Sequence, residues 1–158
     1  MSTHKLIGIL LFLASCITVT NEDRMLLTSH DVVASIKGND SSDFRSFIGP
    51  KLISFGKDES DVLSDFYDYK LLFDTYEKKG DIKTNITTLY NVMGQRLVDI
   101  PIIDTENKMS ADSIYHLYLF FGPPNIYTLN KITGYELKQG NTIPEGFNAD
   151  NVNKGLHR

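Results

Sequence analysis

The sequence holds no tryptophan, a single cysteine and only four histidines in 158 residues. One cysteine cannot close a disulfide within the chain, so stability must come from packing. No two histidines stand at metal-ligand spacing and no second thiol is available, which disfavours zinc sites of the usual types. Lys and Arg number 16 against 20 Asp and Glu, a formal charge of -4. That balance argues against a nucleic-acid role and against electrostatic docking on anionic lipid. No glycine pattern for phosphate is present, since Gly122-Pro123-Pro124 reads as a rigid turn. The chain has no internal repeat, no low-complexity block, and no apolar run of the roughly 20 residues a membrane span requires.

A shorter apolar run is present at the start. Met1 to Lys5 carries one positive charge and no acid, and Leu6 to Ala14 is unbroken apolar sequence. Its length fits the core of a secretory signal peptide, roughly 7 to 15 residues followed by small residues. Leu13-Ala14-Ser15-Cys16 then resembles the lipobox of bacterial lipoprotein precursors. The resemblance implies that the Cys16 thiol carries diacylglycerol, that the chain is cut before Cys16, and that the new amino group is acylated. Two or more acyl chains hold a protein stably at a bilayer, where one holds it marginally. Ala14 and Cys16 are both small, so ordinary signal-peptidase cleavage after Cys16 is the competing reading. Ile17 rather than an acid follows the cysteine, which in lipoproteins similar to those of enteric bacteria permits sorting to the outer membrane.

These readings divide the chain into a signal peptide (1–15), a lipidated N-terminus and tether (16–28), one α+β domain (29–143) and a polar, flexible tail (144–158). Cleavage removes only Lys5 among the charges, leaving 15 basic and 20 acidic residues on 143. That length suffices for a single packed core.

A helix is expected from Asn21 to Lys37, capped by Asn21 or Ser29, with Val32, Val33 and Ile36 on one face. Gly38-Asn39-Asp40 stops it. Ser41 or Ser42 caps a shorter helix bearing Phe44, Phe47 and Ile48, which Gly49-Pro50 ends. The third helix is long, opened by Asp58 or Ser60 and closed at Gly80. Val62, Phe66, Tyr69, Phe73 and Tyr76 follow at spacings of four, three, four and three, holding one aromatic face throughout.

Beyond Gly80 the period becomes two. Thr84 to Val92 alternates as a strand, Met93-Gly94-Gln95 turns it, and Arg96 to Ile103 returns with Val98, Ile100 and Ile102 on one face. Pro101 marks an edge or bulge there. Ser113 to Phe121 is apolar on both faces, as in a central strand, and a last strand is expected from Ile126 to about Leu137, with Gly134 as a bulge or bend. The fold class is α+β, with helices packed on one face of a curved four-stranded antiparallel sheet. This order resembles the cystatin-like superfamily and, within it, the nuclear-transport-factor-2-like fold. The resemblance covers about residues 29–139 and implies a cone with an open mouth.

Little chemistry is legible. His4 lies in the signal peptide, His157 in the tail and His30 near a helix start. His116 alternates with Ile114, Tyr118 and Phe120, so His116 and Tyr118 are the candidate polar groups of a pocket if that face lines the cone. The alternative is a histidine satisfied by a neighbouring group in the core. Clusters at Asp58, Glu59 and Asp61 and at Asp65, Asp68 and Asp74 fall on or before the polar side of the third helix, where solvated acids belong. No catalytic residue, metal site or cofactor is assigned. The expected protein is a lipid-anchored envelope protein, periplasmic or outer-membrane. Its domain binds a protein or small ligand without catalysis, touches the membrane through Cys16 and has no nucleic-acid partner. A small enzyme working in the cone, and an inhibitor or assembly subunit, are the rival readings.

Overall fold

The computed structural model describes residues 19–49, 57–77, 87–90, 95–102, 110–122, 131–140 and 143–147. The signal peptide and Cys16, the turn at 93–94, Pro50, Gly80 and residues 126–130 lie outside them.

Helix α1 (Asn21–Lys37) begins at Thr20, not at Asn21 or Ser29. Thr20 Oγ1 accepts from the Asp23 amide at 3.1 Å, and the Asp23 carboxylate accepts from the Thr20 amide at 2.9 Å. Each residue satisfies a donor the helix start would leave open. Ser29 instead sits mid-helix and donates to the Met25 carbonyl at 2.8 Å. Met25 and Thr28 are buried, so the folded domain reaches back into the stretch 16–28 expected as tether. At the other end Asn39 takes φ 59°, a left-handed conformation that asparagine tolerates better than most residues.

Helix α2 (Ser41–Phe47) is capped by Asp40, whose carboxylate accepts from the Asp43 amide at 2.8 Å, rather than by the serines that follow it. Helix α3 (Glu59–Glu77) is opened by Asp58, which accepts from the amides of Ser60 and Asp61 at 2.7 and 2.9 Å. The expected stripe is present. Val62, Phe66, Tyr69, Phe73 and Tyr76 are all buried, none exposed by more than 8%.

The strands are β1 (Thr87–Tyr90), β2 (Arg96–Ile102), β3 (Tyr115–Phe121) and β4 (Gly134–Gln139), in that spatial order and each antiparallel to the next. A single 3-10 turn at Ala111–Ser113 leads into β3, which starts two residues later than expected. Among the described residues β1 pairs with β2 from Thr87 opposite Asp99 to Tyr90 opposite Arg96, and Pro101 stands in β2 opposite His116 of β3. β4 runs to Gln139, past the expected end. Gly134 opens it opposite Phe120, and a Cβ added there would lie 3.4 Å from the Phe120 ring. That is an ordinary contact distance, and Gly134, expected as a bulge or bend, pairs regularly with Phe120.

Among the described residues the fold is therefore α+β, with three helices packed on an antiparallel sheet. Val98, Ile100 and Ile102 of β2, Leu117, Leu119 and Phe121 of β3, and Tyr135 of β4 join the helix side chains in one core. Phe44 of α2 touches both Phe66 and Tyr135, at ring separations of 5.3 and 6.0 Å. Ile48 and Ile132 bridge in parallel, with Phe47 and Gly49 bonded to either side of Ile132 at 2.8 and 2.9 Å. This bridge ties the end of α2 to the approach of β4.

Candidate functional site

Alternation places Leu97, Asp99 and Pro101, then His116, Tyr118 and Phe120, then Glu136 and Lys138 on the sheet face away from the helices. Leu97 and Tyr118 form a second, small core there, packed by Phe120, Ile143 and Phe147. Phe147 meets Phe120 edge to face at 5.8 Å, and Pro144 is buried. Part of the expected free tail therefore covers the sheet.

His116 and Tyr118 are adjacent, as the alternation implied, with rings stacked at 5.7 Å and 11°. They do not face the helix-covered side of the sheet, which the large apolar residues fill. What sequence reading missed is Asp99. Its Oδ1 lies 2.8 Å from His116 Nδ1, and both side chains are largely buried. The register pairs Asp99 with Tyr118 and Pro101 with His116, so the carboxylate reaches the imidazole diagonally. An acid inside the apolar strand Arg96–Ile102 was the available signal. Its partner was hidden because the connection to β3 is long and sets no register.

Burial raises the Asp99 carboxyl above its ordinary value, and the hydrogen bond and charge interaction with His116 only partly offset this. The Tyr118 phenol is also pushed up, first by burial and then by the charges of Asp99 and Glu136. Glu136 pairs with Lys138 at 3.3 Å. With Asp99 ionised, Nδ1–H of His116 donates to it, which fixes the ring and leaves Nε2 as the free nitrogen. In an acid–base pair this second nitrogen faces the reacting proton. Here Nε2 is buried and makes no hydrogen bond. Among the described residues no group of three His, Cys, Asp or Glu is placed to hold a metal ion.

Among the described residues, hollows open elsewhere. One of about 260 Å³ lies between α2 and α3, lined in part by Phe44, Arg45, Val62 and Leu63. A wider groove of about 550 Å³ runs between α3 and β4. Tyr69 and Tyr135 meet edge to face in its wall at 5.8 Å and 88°. Asp65, expected to be a solvated helix acid, is tied into this wall. It accepts from the Tyr135 hydroxyl at 2.6 Å and from the Lys57 ammonium.

No protein-family model, curated protein or solved structure matches this chain.

Proposed function

We propose that this chain is a lipid-anchored cell-envelope protein whose α+β domain is a binding module and not an enzyme. The anchor rests on Leu13-Ala14-Ser15-Cys16, the only cysteine of the chain, placed directly after a signal-length apolar run. Helices first and consecutive antiparallel strands after them fit a cystatin-like plan, with the helix-facing side filled by Phe66, Phe73 and Phe121. The observation that carries the non-catalytic reading is the covered Nε2 of His116. Neither hollow is lined by His116 or Asp99, so the one acid–imidazole pair of the described residues serves the packing of the sheet.

The test is metabolic labelling with a clickable fatty acid in a bacterial host. Label on the wild-type chain that disappears in Cys16→Ala is the expected outcome. An unlabelled wild type, or label that persists in the variant, overturns the anchor.

One observation favours the narrower reading of an inhibitor or assembly subunit. Leu63, Tyr67 and Leu71 recur every four residues along α3 and are exposed by 44, 53 and 68%. Side chains at that spacing share one helix face, and an exposed apolar stripe is a common mark of a protein contact.

A further inference from the structure

The groove between α3 and β4 already contains a cation from its own chain. The Lys57 ammonium binds the Asp65 carboxylate and stands 4.8 Å from the centroid of the Tyr135 ring. A ring face and a carboxylate together are the two elements that hold a desolvated ammonium or guanidinium. The groove is larger than one lysine needs. Two further carboxylates, Asp68 and Glu136, line it, so three acids face a single lining cation. Glu136 shares Lys138, while Asp68 is exposed and lies beside Tyr69. Burial and then the negative charges of Asp65, Asp68 and Glu136 push the Tyr69 phenol up.

We propose that this groove seats a lysine or arginine side chain of a partner protein, between Asp68 and Glu136 and against the tyrosine wall. This rests on the binding-module reading and names the chemistry of its partner. The groove is open along its length, so it would enclose too little of a small molecule to hold one by burial alone. It suits a side chain whose backbone stays outside. Lys57 then acts as an internal competitor, holding one cation position until a second cation enters or displaces it.

The experiment titrates the full chain, in detergent micelles, with a capped Gly-Arg-Gly-Arg-Gly peptide, following NMR shifts of the tyrosine rings. Capped Gly-Glu-Gly-Glu-Gly and free spermidine serve as comparison ligands. The arginine peptide is expected to bind and the glutamate peptide not to bind. Asp68→Asn with Glu136→Gln should weaken binding about fivefold or more, the scale of a partly screened ion pair. Lys57→Met should tighten it by a similar factor. Lys131→Met makes the same charge change outside the groove and should leave affinity unchanged. Thermal melts of each variant confirm that it is folded.

The proposal is overturned if the arginine peptide does not bind, or if the Asp68 and Glu136 changes leave its affinity intact. Equal tightening by Lys57→Met and Lys131→Met, or spermidine binding as well as the peptide, overturns it too. None of these outcomes bears on fatty-acid labelling at Cys16, so failure of the groove and failure of the anchor are read separately.

Discussion

Asp99 and His116 are joined diagonally across β2 and β3 by a 2.8 Å contact between Oδ1 and Nδ1, on the sheet face that the helices do not cover. The pair is buried, and the net effect on Asp99 is unfavourable to its charge because desolvation outweighs the histidine. A carboxyl whose folded value lies above its unfolded one binds its proton more tightly in the folded state. Its ionised form therefore opposes folding, with no penalty below the unfolded value and a growing one as pH rises through the folded value. Asp99→Asn keeps an acceptor for Nδ1 and removes the charge. Urea denaturation should show this variant gaining on the wild type between pH 4 and pH 7. A stability difference that is flat over this range, or that moves in favour of the wild type, contradicts the assignment.

Asp99→Leu separates the hydrogen bond from the charge. It leaves Nδ1 buried beside a side chain that cannot accept, and an unmet buried donor costs about 1–3 kcal/mol. The leucine variant should be the least stable of the three at pH 7. Should it match the asparagine variant, the contact with His116 contributes nothing.

On α3, burial and exposure alternate within a single helix, which gives an internal comparison. Phe73 is fully buried among both helix and sheet side chains, and truncation to alanine should lower stability by about 3–5 kcal/mol. Leu71, two residues away and 68% exposed, should tolerate the same change within about 0.5 kcal/mol. Guanidinium denaturation of both variants checks the pair. Comparable losses would mean that the face assignment of α3 is wrong.

Much of the helical layer was legible because α3 repeats its period without interruption, so Val62, Phe66, Tyr69, Phe73 and Tyr76 could have only one common face. The caps were less legible. Thr20, Asp40 and Asp58 each sit beside other residues able to cap, and only the path of the chain decides among neighbours of similar chemistry. The start of α1 was hidden for a related reason: Met25, Leu26 and Leu27 follow one another, Met25 is buried and Leu27 exposed, and only the packing of the helix decides which of the three meets the core. His116 and Tyr118 were readable as a same-face pair by alternation alone. Asp99 and Asp65 were not, because their partners lie 17 and 70 residues away in the chain, and no local pattern encodes register or helix-to-strand packing over such distances.

Tyr135→Phe tests the link between α3 and β4. The phenol donates to Asp65 at 2.6 Å while its ring carries Lys57. The ring survives the change and the donor does not, so the loss reports the hydrogen bond alone. Because Asp65 is partly exposed to water, which takes over some of the lost bonding, a loss of about 1 kcal/mol is expected. Denaturant midpoints measure it. An unchanged midpoint would show that water replaces the phenol fully.

The exposed stripe of α3 is tested in the cell, where its partner is present. A photoreactive amino acid at position 71 should give a discrete cross-linked adduct, and one at position 30, where His30 is exposed on α1, should not. Leu63→Lys places a charge on the same face as Tyr67 and Leu71, and being exposed it should leave folding intact. It should nevertheless remove the adduct at position 71, since a charge within an apolar contact must be desolvated without a partner. Identical adducts from positions 71 and 30, or an adduct at 71 that survives Leu63→Lys, would show that the stripe is ordinary exposed surface.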